Sequence, residues 1–213
     1  MSLLRGMVDM DPAVTNFFLR ISERWTNVFP IVVDTETTGS DVSRELLEVA
    51  VVLPLTGESF IGTVSQYRHD RMGGEVTAMH LRSGLLQDIM NQPSDIAFGS
   101  PRELALQFLN FLSERCLMEQ RVALWCGRNP VFDFDSIHAQ FGDNEPAHMM
   151  RSLVHYRMFD MTTVDMYATG AQLPAHDAQR DVAHRAISDV LSELRRLSTL
   201  LCHQDMLRDP RKD

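Results

Sequence analysis

The sequence predicts a single α/β domain. Three observations lead there: closely spaced β-type runs between residues 30 and 67, helical patterning through most of the chain beyond residue 74, and 213 residues of which 44% are hydrophobic, enough for one sizeable core. In order along the chain, residues 12–26 read as a helix, because Val14, Phe17, Phe18, Ile21 and Trp25 recur at helical spacing on one face. Residues 30–34 form an apolar strand that ends at a turn around Gly39-Ser40. Two further strands are expected at 46–53 and 59–67, separated by turn residues 54–58, which makes an antiparallel meander of three. The charged, glycine-bearing stretch 68–74 is a loop, followed by helical patterning to Met90 and a helix at 101–118. Residues 122–126 form a short buried strand, 127–130 are punctuation, and a helix is expected at 133–141. Residues 142–152 read as a loop or short helical segment, and Phe159-Asp160 as a strand or turn. A short helix ends at Gly170, and a long amphipathic helix occupies 177–202. No repeat or low-complexity tract divides the chain, so it is partitioned as an N-terminal helical extension (1–27), one domain (28–203) and a polar tail (204–213).

Composition narrows the classes of function. No apolar run approaches the roughly 18 residues that span a bilayer, and the first 30 residues carry charges throughout, so a soluble cytoplasmic protein without a membrane partner is expected. Cys116, Cys126 and Cys202 are widely spaced and lack CxxC pairing, which fits a reducing compartment and argues against a disulfide framework or zinc knuckle. A formal charge of −9 disfavours a broad duplex-binding surface, because Lys and Arg supply that affinity. It leaves room for a nucleic-acid enzyme whose metals neutralise phosphates locally.

The chemistry concentrates in three places. Residues 31–39 read Ile-Val-Val-Asp-Thr-Glu-Thr-Thr-Gly, and the i, i+2 spacing of Asp34 and Glu36 points both carboxylates the same way from a strand. Two adjacent acids raise each other's pKa, a cost readily tolerated where a cation sits between them. A second acid, Asp133, follows the strand at 122–126 in Asn129-Pro130-Val131-Phe132-Asp133. Asp135 is its neighbour and rival. The third place is His176-Asp177-Ala178-Gln179-Arg180-Asp181, where a histidine precedes an acid by five positions. Convergent carboxylates from separate elements are what a two-metal phosphodiester hydrolase needs, because Mg²⁺ takes hard oxygen ligands and the ions sit roughly 3.5–4 Å apart.

Asp-Thr-Glu-Thr-Thr-Gly, Asn-x-x-Phe-Asp and His-x-Ala-x-x-Asp, in this order, resemble the three exonuclease motifs of the DEDDh superfamily, which includes proofreading subunits, RNase T, oligoribonuclease and exonuclease I. The similarity covers about residues 28–200, and its subfamily features are nearest to phage exonuclease A and oligoribonuclease. The resemblance implies an RNase H-like fold, a mixed central sheet flanked by helices. It implies that Asp34, Glu36, Asp133 and Asp181 hold two Mg²⁺ or Mn²⁺ ions, with His176 as general base. It also implies 3′-to-5′ hydrolysis of single-stranded DNA or RNA ends to nucleoside 5′-monophosphates, with Thr37 and Thr38 meeting the terminal nucleotide. The Asn-x-x-Phe-Asp pattern selects Asp133 over Asp135.

The third motif has two registers, since His184-Arg185-Ala186-Ile187-Ser188-Asp189 has the same spacing as His176 to Asp181. An unbroken apolar face behind the later one supports it. The earlier one is preferred because 170–174 end the preceding helix just before His176, whereas His184 is expected inside a helix already running.

Taken singly, these residues have ordinary readings. Asp-x-Glu is often a solvated strand end, Asp181 a first-turn acid favoured by the helix dipole, and Trp125 and Phe132 core residues. Glu48 reads as a structural acid near the ligands, and Arg68, His69, Arg71 and Arg82 as a solvated loop or a steering patch. Two rival functions stand beside the exonuclease: a non-catalytic nucleic-acid-binding or scaffold module on the same fold, and a small-molecule phosphodiesterase.

Overall fold

The computed structural model describes residues 4–91, 97–168 and 184–208. Its centre is a meander of β2 (Val28–Thr37), β3 (Leu46–Val52) and β4 (Glu58–Val64), each antiparallel to the next, as the turn residues between them predict. β6 (Val122–Gly127) lies parallel to β2, and β7 (Phe159–Asp160) parallel to β6. Two pairings were not legible in advance. β1 (Leu4–Met7) adds antiparallel to β4, and β5 (Ala97–Phe98) adds parallel to it. The path through the sheet is β1-β4-β3-β2-β6-β7, a mixed sheet with β2 and β3 at its centre.

Strand alternation divides the core between the two faces of the sheet. Phe29, Ile31 and Val33 of β2, with Val49 and Val51 of β3, pack on one side against α3 (Leu85–Asn91), α4 (Pro101–Glu119), α5 (Pro130–His138) and α6 (Glu145–Leu153). Val28, Val32, Ala50 and Val52 pack on the other against α1 (Pro12–Arg24), α7 (Met161–Ala168) and α8 (Ala186–Arg208). Central strands buried on both faces need continuous apolar sequence, which β2 and β3 have. Trp125 is fully buried, edge-on to Phe108 and Phe134 at 5.6 and 5.5 Å, so it belongs to the core as expected. The N-terminal segment contributes β1 to the sheet, and Val14 and Phe18 of α1 to the core.

Local signals account for the helix starts. Asp11 caps α1 by accepting the Ala13 N–H, and Ser100 with Glu103 closes a capping box on α4; a proline follows each cap. α5 starts at Pro130, three residues earlier than expected, because Asn129 takes a left-handed conformation and Pro130 is already suited to a first helical turn. The larger correction concerns α8. A helix running from 177 to 202 is not what forms, because His184 and Arg185 are not helical, His184 has φ 45°, and the helix begins at Ala186. No helix among the described residues is long and apolar enough to cross a membrane.

Candidate metal centre

β2 delivers the first two acids. Asp34 and Glu36 stand opposite Ala50 and Glu48 of β3, and a register shift between Glu36 and Thr37 ends the regular pairing there. Glu36 is 7% exposed, and Asp34 keeps somewhat more contact with solvent. Asp133 reaches the same end of the sheet from the first turn of α5, at the mouth of the parallel β2–β6 pair. Its Oδ1 accepts two hydrogen bonds from Thr35, from the backbone N–H at 3.0 Å and the hydroxyl at 2.7 Å. Gly127 makes room for this approach. A Cβ there would lie 2.7 Å from the Val33 carbonyl oxygen, so any side chain forces β6 away from β2.

The opposite face supplies the rest. Glu36, His184 and Asp189 each offer a ligand atom, and these atoms all lie within 4.8 Å of one another. Asp189 is in the first turn of α8, where the helix dipole favours an acid, and its N–H donates to the Arg185 carbonyl at 3.0 Å. His184 precedes the helix rather than lying within it, so the objection to the later register loses its premise. His176 and Asp181 lie outside the described residues.

The electrostatics are those of a cluster with more carboxylates than it can ionise. Asp34 is held well above the usual carboxylate range, by burial first and then by the charges of Asp133, Glu36, Asp189 and Glu48. Burial, then Asp189, Glu48 and Asp133, raises Glu36 to about 8, with Arg185 opposing. Asp133 is raised to about 7 by burial against the opposing Thr35 bonds, and Asp189 to about 6 by burial and by Glu193 and Glu48, with Arg128 opposing. His184 is lowered by burial and by Arg82, so it is neutral at pH 7 and its lone pair is available. A divalent cation relieves every one of these carboxylate shifts at once.

Comparison with protein-family models and with curated proteins finds no match. The reading of the centre therefore rests on its own donor set. The buried carboxylate oxygens fit Mg²⁺ or Mn²⁺, with the His184 imidazole beside them, and one further buried polar atom lies against the cluster. His80, fully buried on α2 (Gly74–Arg82), engages the Thr37 carbonyl through Nε2 at 2.9 Å. Its Nδ1 has no hydrogen-bond partner and faces Glu36 Oε2 at 3.8 Å.

Of the residues read from the sequence, the structure brings Asp34, Glu36 and Asp133 together, and with them His184 and Asp189. Thr37 and Thr38 lie next to the centre, but their hydroxyls close the turn after β2. Thr37 donates to the Gly39 carbonyl at 2.7 Å, and Thr38 accepts the Glu45 N–H at 2.9 Å. Arg68 pairs with Asp70 within the segment at 65–73, and Arg71 donates to the Ser43 carbonyl of the turn between β2 and β3. Sequence reasoning missed His80, the Thr35 grip on Asp133, and Arg44, which stacks 4.5 Å above Phe132 and lowers the pKa of Asp133. Only the position of Thr35 between the two acids hinted at any of these.

Proposed function

We propose that the protein is a metal-dependent 3′-to-5′ exonuclease on an RNase H-like fold. The observation that carries this reading is the convergence of Asp34, Glu36, Asp133, Asp189 and His184 at one end of β2, with Glu36 and Asp133 held at pKa values of about 8 and 7. The sheet supports it too, since an antiparallel meander continued by parallel strands is the order such a fold requires. Asp34, Glu36, Asp133 and Asp189 would hold two Mg²⁺ or Mn²⁺ ions, which would supply charge stabilisation for the attacking and leaving oxygens. His184, neutral at pH 7, takes a proton from the attacking water. The water oxygen bonds to the terminal phosphorus, the bond to the 3′ oxygen of the preceding nucleotide breaks, that oxygen takes up a proton to become the new 3′ hydroxyl, and a nucleoside 5′-monophosphate leaves. Thr35 holds Asp133 in its ligating orientation, and the turn closed by Thr37 and Thr38 forms the floor beside the terminal nucleotide.

The test is digestion of 3′- and 5′-labelled single-stranded DNA and RNA oligomers with Mg²⁺ or Mn²⁺, alongside a chromogenic phosphodiester, each with and without chelator. The expected result is stepwise loss from the 3′ end, abolished by chelator, by Asp34→Ala and by His184→Ala. Cleavage of the chromogenic ester alone would transfer the reading to a small-molecule phosphodiesterase, and no cleavage of anything to a binding module. Parallel digestion by His176→Ala separates the two registers of the third motif, because the later register predicts loss of cleavage in His184→Ala and retained cleavage in His176→Ala.

A further inference from the structure

Glu48 has no place in the proposed ligand set, although it stands directly opposite Glu36 across the β2–β3 pair. Side chains so placed have Cβ atoms about 4.5–5.5 Å apart, and like charges there repel. Glu48 is also fully buried, so its charge needs a partner. The partner is Arg185, the residue between His184 and the first residue of α8. Its Nε donates toward both Glu48 oxygens at 3.2 and 3.3 Å, its Nη2 donates to Oε1 at 2.9 Å, and its Nη1 donates to Asp88 on α3. Glu48 Oε2 also accepts the Ala186 N–H at 2.7 Å. That N–H is one of the orphan donors at the start of α8, so a strand residue caps this helix from outside its own sequence.

We propose that Arg185 is a positioning residue with two effects: it occupies both oxygens of Glu48, keeping that carboxylate out of the metal-ligand set, and it anchors His184 and the first turn of α8 beside Glu36. The proposal rests on the exonuclease reading and deepens it. The fork geometry matters, because a guanidinium meets a carboxylate and a second acid in fixed directions, which an ammonium cannot do. His184 sits in the left-handed region at φ 45°, a conformation a histidine keeps only where its surroundings impose it. The anchored neighbour, tied at once to β3, α3 and the helix start, is what imposes it.

Removing the guanidinium has two effects of opposite sign. It frees a carboxylate beside the ligands, so Mn²⁺ binds more tightly. It also releases His184, so turnover falls. The experiment measures Mn²⁺ affinity by titration calorimetry, with kcat and KM on a labelled oligonucleotide, for the full chain and for Arg185→Met, Arg185→Lys and Arg185→Met/Glu48→Gln. For Arg185→Met, Mn²⁺ binding tightens about tenfold while kcat drops about 10–100-fold and KM stays nearly constant. Arg185→Lys keeps the charge and not the fork, so its Mn²⁺ affinity stays at the wild-type value while its kcat falls. In the double variant Mn²⁺ affinity returns to wild type and kcat stays low. Weaker Mn²⁺ binding in Arg185→Met that Glu48→Gln does not restore would mark a merely structural residue and overturn the proposal, as would wild-type kcat in Arg185→Lys. A wild-type protein that cleaves no oligonucleotide defeats the exonuclease reading instead. The Mn²⁺ titrations then still decide whether Arg185 withholds Glu48 from the ligand set.

Discussion

The acid cluster makes a prediction about stability that runs against intuition: Glu36→Gln stabilises the metal-free protein, and does so only at high pH. In the folded protein Glu36 titrates at about 8, against an ordinary value of 4.5. Its folded pKa is raised, so between those two values the native state carries a proton that the unfolded chain has released. Stability therefore declines as pH rises through that window and is fully present only below it. A shift of this size corresponds to roughly 4 kcal/mol at pH 8, at about 1.36 kcal/mol per pKa unit. The acids around Glu36 draw on the same protons, so this is a ceiling. The amide of Gln carries no such cost. In chelator, the melting temperatures of wild type and Glu36→Gln should coincide near pH 5 and separate by several degrees at pH 8, at about 2–4 °C per kcal/mol for a chain of this size. Mn²⁺ should close the gap at pH 8 by stabilising the wild type more than the variant. A difference in melting temperature that is the same at both pH values, or one that widens with Mn²⁺, would refute the reasoning.

Three further predictions concern single residues. His184→Ala should lower kcat by about 10²–10⁴-fold, the usual contribution of a general base, while His176→Ala leaves kcat close to wild type; steady-state digestion of a labelled oligonucleotide measures both. Thr35→Val removes the hydroxyl that donates to Asp133 at 2.7 Å and keeps the backbone bond, so Mn²⁺ affinity should fall about 10–100-fold with little change in fold, read by calorimetry and circular dichroism. Gly127→Ala places a methyl group 2.7 Å from the Val33 carbonyl, so it should cost about 1–3 kcal/mol in urea unfolding and weaken Mn²⁺ binding by moving Asp133.

Much of the sheet was legible because β2 and β3 are nearly continuous apolar runs bounded by turn residues, and such runs have few alternatives in a chain this size. β1 and β5 were not. Leu4–Met7 contains Arg5 and Gly6, and Ala97–Phe98 has two residues, so neither carries a periodicity to read; each forms because β4 offers it an open edge. Asp34 and Glu36 were legible from strand alternation, and Asp133 from its place after a buried strand together with the Asn-x-x-Phe-Asp pattern that separates it from Asp135. Thr35, His80 and Arg44 were not, because what they do depends on elements far away in sequence. Thr35 meets a helix residue 98 positions on, and His80 meets a carbonyl 43 positions back.

The third motif shows most clearly where local pattern runs out. His176 to Asp181 and His184 to Asp189 have identical spacing eight residues apart, about two helical turns, so helical periodicity cannot separate them. What distinguishes them is long-range: Glu48, on a strand more than a hundred residues earlier, binds Arg185 and caps the helix at Ala186. That carboxylate caps α8 where the helix begins, with His184 just before its first residue and Asp189 in its first turn. A buried charge that looks like a liability beside the candidate centre thus caps the helix whose first turn carries Asp189. Glu48→Gln isolates this effect, since the amide can still accept the Ala186 N–H but no longer holds the guanidinium through charge. The variant should keep its helix content by circular dichroism and lose turnover, whereas unchanged kcat would mean that α8 finds its register without Glu48.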